Sequence, residues 1–159
     1  MRRSDREVTE LDDIVSIIDK CDVCRVGLFD EECPYILPLN FGYTVADGQI
    51  TFYFHGAAQG KKYDLIRKNN HVCFEMDCSH RLVLDEAAGR CTMEYESVMG
   101  TGTIEFVEER DKEQALDILM GHYIGGKKIR WKLADMPRTT VLKLCVESVT
   151  GKRKTEPVK

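Results

Sequence analysis

Hydrophobic residues recur at helical spacing in three parts of the chain. Leu11, Ile14, Val15 and Ile18 follow a Thr9-to-Asp12 start signal, which predicts a short amphipathic helix as far as about Lys20. The same spacing predicts helices over 59–68 and 109–123. These helices are short and widely separated, so they do not form a bundle by themselves.

Runs of apolar and β-branched residues predict strands over 23–29, 34–45, 49–54, 71–76, 95–107 and 140–149. Apolar and polar residues alternate over 95–107 and 140–149. Asp47-Gly48 predicts a hairpin turn, and Pro38 predicts an edge or a bulge in the second strand. The boundaries within 77–94 stay open, and the tail from Gly151 is predicted to be solvated. The pattern therefore predicts one mainly β domain over 1–159, an antiparallel barrel with peripheral helices.

Composition narrows the functional classes. The 159 residues carry a formal charge of −4, which offers no general attraction to nucleic acid or an anionic membrane, and no apolar run approaches the ~20 residues that span a bilayer. We expect a cytoplasmic protein without nucleic-acid or membrane partners. One basic run is expected to be a solvated loop, with a nucleic-acid-binding barrel as the weaker alternative; it contains Lys127, Lys128, Arg130, Trp131 and Lys132.

Seven cysteines are an odd number in a chain without an export signal, so reduced thiols are expected. Cys21 and Cys24 have CxxC spacing, but the second pair that a zinc ribbon needs is absent. The looser group of Cys78, His80 and Cys91 is spaced irregularly. We therefore predict no metal site.

The segment from Tyr53 to Lys62, YFHGAAQGKK, carries the most chemistry. A predicted strand runs into His55, then into small residues that allow close approach to the main chain, and then into Lys61 and Lys62 at the start of a predicted helix. Open N–H groups, fixed cations and a helix N-terminus suit a phosphate. Taken alone, however, these ten residues favour an ordinary strand–loop–helix connection with solvated lysines over a phosphate site.

Several segments occur together in an order that decides between these interpretations: PYILPLNFGY (34–43), YFHGAAQGKKYDLI (53–66), NNHVCFE (69–75), YESVMGTG (95–102) and TGK (150–152). Over nearly its whole length the chain resembles the flavin-binding split-barrel proteins related to pyridoxamine 5'-phosphate oxidase, and most closely the Nim nitroimidazole-resistance branch. The resemblance implies a split β-barrel that binds FMN between the two subunits of a homodimer.

The resemblance also implies site residues. Ile36, Leu37, Pro38, Leu39 and Asn40 match the strand along the flavin ring, and Lys61 with Lys62 matches the basic pair that holds the phosphate. The other implied cofactor contacts are Phe54, His55, Ser97 and Val98. His55 is the candidate catalytic residue, as a proton donor with an ordinary pKa near ~6.5, or else a residue that orients the loop or contacts the flavin.

The implied function is an FMN-dependent oxidoreductase that reduces nitroimidazoles or another small electron acceptor. Oxidases of the family usually carry Arg-Lys where this chain has Lys61-Lys62, and the chain lacks their C-terminal Trp-containing motif, so vitamin B6 oxidation is not expected. The alternatives are a deazaflavin- or haem-binding split barrel and a non-catalytic protein that binds flavin or another small ligand.

Overall fold

The computed structural model describes residues 3–125, 127 and 138–155. Within them, eight strands form one antiparallel sheet, accompanied by three helices and by 3₁₀ turns at Ser4–Arg6 and Glu109–Asp111. The mainly β antiparallel fold with peripheral helices is confirmed. The elements are β1 (Glu7–Val8), α1 (Leu11–Ile18), β2 (Cys24–Leu28), β3 (Tyr35–Leu39), β4 (Phe41–Ala46), β5 (Gln49–Ala57), α2 (Lys61–Lys68), β6 (His71–Asp85), β7 (Arg90–Phe106), α3 (Lys112–Ile124) and β8 (Thr139–Lys154).

The sheet is rolled into a barrel that is open on one side. The strand order is β3–β2–β6–β7–β8–β5–β4, with β1 added on β8. β3 and β4 are therefore at opposite ends of the order, although only Asn40 separates them in the chain. The two ends of the sheet must meet at Asn40, and the barrel is split between these two strands.

The core fills the barrel with side chains from the inward face of each strand. Phe41, Phe52 and Phe74 are buried and pack edge to face, with Phe52 5.6 Å from Phe41 and 5.1 Å from Phe74 between ring centres. α1 adds Ile14, Ile17 and Ile18 to this core. The outward faces of the strands are therefore free to carry the chemistry.

The predicted strand over 34–45 is two strands, β3 and β4. At the break, the Asn40 side-chain amide donates to the carbonyl oxygen of Asp22 at 3.3 Å, and the backbone N–H of Phe41 donates to the Tyr123 hydroxyl at 2.8 Å. These tertiary bonds, which local sequence does not encode, redirect the chain. The edge position predicted for Pro38 is correct, because β3 ends the sheet.

Other boundaries also differ from the predictions. β6 and β7 extend through the stretch that the sequence left open and form one long hairpin, and β5 continues past His55 to Ala57. The tail prediction is wrong for Gly151–Lys154, because these residues belong to β8 and Gly151 is buried between β7 and β1. Most of the basic run over 127–132, including Trp131, lies outside the described residues.

Candidate functional site

The connection from β5 to α2 places two lysines at the first turn of a helix. β5 ends at Ala57, Gly60 adopts a φ of 153° that favours glycine, and α2 begins at Lys61 rather than at the predicted Gln59. The Tyr63 hydroxyl donates to the Ala57 carbonyl oxygen at 2.6 Å and fixes the loop. The N–H groups of the first helical turn and two ammonium groups therefore share one end of α2.

Lys61 connects α2 to β3. Its Nζ lies 2.6 Å from Oδ2 of Asp30 and 5.2 Å from the ring centre of Tyr35, the first residue of β3. The hydrogen bond with Asp30 raises the pKa of Lys61 and lowers that of Asp30. Lys61 is thus a fixed cation at the open end of the sheet.

Lys62 lies against the end of β5, beside His55. Its Nζ is 5.0 Å from the Tyr63 ring centre, and a Cβ on Gly56 would come within 2.5 Å of the same nitrogen, so a larger residue there would displace the ammonium group. Partial loss of water around the imidazole, together with the charge of Lys62, lowers the pKa of His55 below its ordinary value. His55 points outward from β5 and is exposed, so it is accessible to a ligand.

β3 offers an open strand edge. It pairs with β2 alone among the described strands, so its second edge carries N–H and C=O groups without a strand partner in the described part of the chain. Ile36 and Pro38 point away from the core, whereas Leu37 and Leu39 pack against it. Any contact from Leu37 or Leu39 to a ligand is therefore through the backbone.

Not every residue of the predicted site presents its side chain. Phe54 and Val98 are fully buried in the core, and the Asn40 amide is engaged with Asp22 and Tyr123. Ser97 points outward from β7, paired with Asp77 of β6 and Lys152 of β8. One chain therefore brings together β3, Lys61, Lys62 and the end of β5, while Ser97 lies on a different part of the sheet.

An apolar groove of about 990 Å³ runs along the outward face of the sheet beside this site. The side chains of Ile36 and Met99 line the groove. They are 65% and 51% exposed, which is unusual for such large apolar side chains. The acidic loop over 30–32 forms one wall. Other lining residues are Phe29, Cys73, Gly100, Thr101, Ser148 and Val149.

Sequence reasoning missed two parts of this arrangement. It gave no role to Asp30, although the acidic residues over 30–32 are an available counter-charge for the two lysines. It also missed the groove, because Ile36, Cys73 and Met99 come from three separate strands. Their common feature is outward orientation, which follows from strand register and not from local pattern.

The cysteines give no indication of a metal centre. Burial raises the pKa of Cys21 and of Cys24, so both stay protonated at neutral pH. The thiols of Cys21 and Cys78 both donate to the carbonyl oxygen of Ile17, at 3.3 and 3.8 Å. In the described ranges, no group of three or more His, Cys, Asp or Glu side chains is arranged to hold a metal ion.

Comparison with known proteins decides the family. The model of the pyridoxamine 5'-phosphate oxidase family matches residues 10–153. The chain belongs to this family. A solved structure from Bacteroides thetaiotaomicron, named for 5-nitroimidazole antibiotic resistance, is 34% identical, with a TM-score of 0.80; the match covers 92% of this chain and 85% of that protein. No curated protein sequence matches the chain.

Solved structures with lower sequence identity share the fold. The flavocytochrome Anf3 from Azotobacter vinelandii is 20% identical, with a TM-score of 0.80 and coverage of 99% of this chain and 73% of that one. An FAD- and haem-binding protein from Mycobacterium smegmatis is 18% identical, with a TM-score of 0.81 and coverage of 97% and 76%. No helix in the described residues is both long and apolar enough to cross a membrane.

Proposed function

We propose that this family member is an FMN-dependent oxidoreductase that works as a homodimer and passes electrons to a small acceptor such as a nitroimidazole. The observation that carries the proposal is the junction of α2 and β3, where the Lys61 ammonium lies 5.2 Å from the Tyr35 ring centre. A phosphate held by Lys61 would therefore lie beside an open strand edge.

The chemistry of these groups fits FMN. Two ammonium groups and the N–H groups of a helix N-terminus suit a phosphate ester, and the N–H and C=O groups on the open edge of β3 suit the polar edge of a flavin ring. The apolar groove suits the rest of the ring system. Lysines bind phosphate as point charges, without the bidentate fork of arginine, so we expect moderate affinity.

Bound flavin would supply the electron transfer. The residues of the chain would bind and orient the flavin and donate a proton to the acceptor. Lys61 and Lys62 hold the phosphate, and the β3 backbone fixes the ring. The pKa of His55 is lowered, so its imidazole is mainly neutral at pH 7, and the fraction in the proton-donating imidazolium form rises as the solution is acidified. The apolar walls of the groove exclude water from the acceptor.

Pairing of two copies would complete this site. Ser97 lies on a separate part of the outward face, and the groove is open with Ile36 and Met99 exposed. A second copy that covers the groove would bury these side chains and would bring a Ser97 from the opposite subunit toward the flavin. The family resemblance supports the same arrangement.

The first test is the absorption spectrum of the freshly purified protein, followed by mass analysis of the released chromophore. Oxidised-flavin bands with FMN released would support the proposal. An intense haem band or a deazaflavin would keep the fold but replace the cofactor. Bound flavin that no combination of reductant and nitro acceptor turns over would identify a flavin-binding protein without catalytic function.

A flavin titration then tests the phosphate site. Lys61→Ala with Lys62→Ala removes both ammonium groups, and we expect FMN affinity to fall at least ~10-fold, as for the loss of charge-assisted bonds. The control is Arg67→Ala with Lys68→Ala, which removes the same charge from the far end of α2. Equal affinity of the two variants would overturn the phosphate assignment.

A further inference from the structure

Glu75 places a carboxyl group in the middle of the apolar groove. Strand register aligns four outward residues in one row across the sheet, in the order Pro38 of β3, Arg25 of β2, Glu75 of β6 and Met99 of β7. The last three of these residues line the groove. Glu75 lies two strands from the open edge of β3, about 10 Å away at a strand spacing of ~4.8 Å.

The other carboxyl groups of the groove lie at its side. Asp30, Glu31 and Glu32 belong to the loop that forms one wall, where Asp30 and Glu31 are each within 3.5 Å of a lysine. Among the described residues that line the groove, Glu75 is therefore the carboxyl group that the sheet contributes. His55 lies at the end of β5, outside the groove, so a proton donor inside the groove must come from another element.

The surroundings of Glu75 favour its protonated form. The Arg25 guanidinium lies 3.2 Å from its carboxylate but 2.6 Å from that of Asp77, so Arg25 is shared between them. Partial burial, followed by the charge of Asp77, raises the pKa of Glu75 and outweighs the opposing effects of Arg25 and His80. The other outward neighbours on β6 and β7 are the Cys73 thiol and the uncharged Ser97 and Met99. Glu75 therefore holds its proton at a higher pH than an exposed glutamate does.

Asp77 connects Glu75 to the solvent. It is the next outward residue of β6, and its Oδ1 is the atom bonded to Arg25. Its Oδ2 lies 2.8 Å from Nε2 of His80, whose side chain is 51% exposed. Imidazole is the side chain that gains and loses protons near neutral pH. A proton from the solvent thus has a polar path to Glu75 that avoids the apolar walls of the groove.

We infer that Glu75 donates a proton to the electron acceptor in the groove, and that Asp77 and Arg25 are positioning residues for it. The inference rests on the proposed function, because it needs the electron transfer described there. The role of Glu75 is to supply a proton where the apolar walls exclude water.

The first reduction step of a nitro acceptor shows where this proton goes. The nitro group takes two electrons and two protons, one N–O bond breaks, and the oxygen leaves as water. One reduced FMN and one nitro compound thus give one oxidised FMN, one nitroso compound and one water. Glu75 gives one proton to the departing oxygen and recovers one from the solvent, so its carboxyl group is unchanged after a turnover.

The first experiment compares two acceptors, 2-methyl-5-nitroimidazole, which needs protons, and ferricyanide, which takes an electron without a proton. The protein with reduced FMN is mixed with each acceptor in a stopped-flow spectrometer. Glu75→Gln should oxidise the flavin at least ~10-fold more slowly with the nitro compound, because a positioned acid contributes about 10²–10⁴-fold. Its rate with ferricyanide should stay close to that of the wild type. The matched control is Glu105→Gln, which removes an exposed carboxylate of β7 outside the groove and should behave as the wild type with both acceptors.

A second measurement needs neither flavin nor turnover. Carbon-13 NMR titration of the flavin-free protein, with the side-chain resonance assigned through bonds, gives the pKa of Glu75 itself. We expect this pKa to be above its ordinary value in the wild type, lower in Asp77→Asn and higher in Arg25→Met. The first change removes a neighbouring negative charge and the second a positive one.

The contrary outcomes differ in what they overturn. A wild-type protein that reduces no nitro compound would overturn the proposed function, and this inference with it. A wild type that does so, together with an equally fast Glu75→Gln variant, would overturn the inference alone. Equal slowing with both acceptors would mean that Glu75 supports the fold or the cofactor and does not donate the proton. If Glu75→Gln does not fold, a wild-type pKa of Glu75 at or below its ordinary value would still refute the inference.

Discussion

At the scale of single residues, the proposed phosphate site contains its own counter-ion. Asp30 is bonded to Lys61 at 2.6 Å, so an incoming phosphate must share or displace this carboxylate. Both side chains are partly exposed, at 57% for Lys61 and 23% for Asp30, which limits the strength of the pair. We therefore expect Asp30 to reduce the affinity for a phosphate without blocking the proposed site.

Asp30→Asn should consequently bind FMN more tightly than the wild type. Because an exposed ion pair is screened by water, the expected decrease in the dissociation constant is only a few-fold. Glu32→Gln is the matched control, because it removes the same charge from the same loop and leaves the Lys61–Asp30 pair intact. Fluorescence titration of FMN measures both; weaker binding by Asp30→Asn would mean that Asp30 orients Lys61 for the phosphate.

The two lysines also differ in their effect on His55. Partial burial and the charge of Lys62 hold the pKa of His55 below its ordinary value, whereas Lys61 is neutralised by Asp30. We expect the pKa of His55, measured by NMR titration without flavin, to rise in Lys62→Met and to stay unchanged in Lys61→Met. If the pKa of His55 changes equally in the two variants, Lys62 does not lie closer to His55 than Lys61 does.

At the scale of elements, α3 packs on β4 through a glycine. A Cβ on Gly42 would overlap the carbonyl oxygen of Ile118 and the Cα of Leu119, both of which are backbone atoms that cannot turn aside. A Cβ on Gly121, which lies further along the same helix, would meet no atom within 4 Å in the described part of the chain. Gly42 is therefore needed for the close packing of α3 on β4, whereas the space beside Gly121 would accept a side chain.

Gly42→Ala should lower the free energy of unfolding by about 2–3 kcal/mol, the cost of overpacking against a rigid neighbour. Gly121→Ala should raise it by about 0.5–1 kcal/mol, because alanine loses less conformational entropy in a helix. Urea denaturation of both variants and of the wild type gives the comparison. If Gly42→Ala is as stable as the wild type, α3 does not pack closely on β4.

These elements also explain how far the sequence could predict the structure. The Asp47-Gly48 turn was predicted correctly because both residues adopt the positive φ that this hairpin requires, 52° and 79°. The break at Asn40 was missed because its partners, Asp22 and Tyr123, are distant in the chain. For the site, the segment from Tyr53 to Lys62 could be singled out as a candidate from local residues, although those residues alone favoured an ordinary strand–loop–helix connection. The groove could not be predicted, because it depends on register between strands.

At the scale of the whole molecule, Glu96 connects four elements. Its carboxylate is 7% exposed and accepts bonds from Lys20 after α1 at 2.7 Å, Ser79 of β6 at 2.8 Å and Arg153 of β8 at 2.6 Å. Burial alone would raise the pKa of Glu96, but these bonds outweigh burial and lower it. The network joins the start and the end of the described chain.

Glu96→Gln should lower the free energy of unfolding by about 2–3 kcal/mol at pH 7, through the loss of charge-assisted bonds. Because the folded pKa is below the ordinary value of 4.5, this contribution is fully present above pH 4.5 and is lost as the pH falls through the folded pKa. Denaturation from pH 7 to pH 3 should show the variant and the wild type converging. The exposed pair Glu105–Lys143 gives the control, since Glu105→Gln should cost less than ~1 kcal/mol.

The position of β8 has a consequence for synthesis of the chain. β8 follows every other described strand in the sequence, yet it lies in the interior of the sheet and pairs with β1, β5 and β7. Until β8 has emerged from the ribosome, the nascent polypeptide exposes the edges of β5 and β7 and cannot close its barrel. The barrel is therefore completed only after β8 has been made, and the unfinished sheet is open to wrong strand pairing until then.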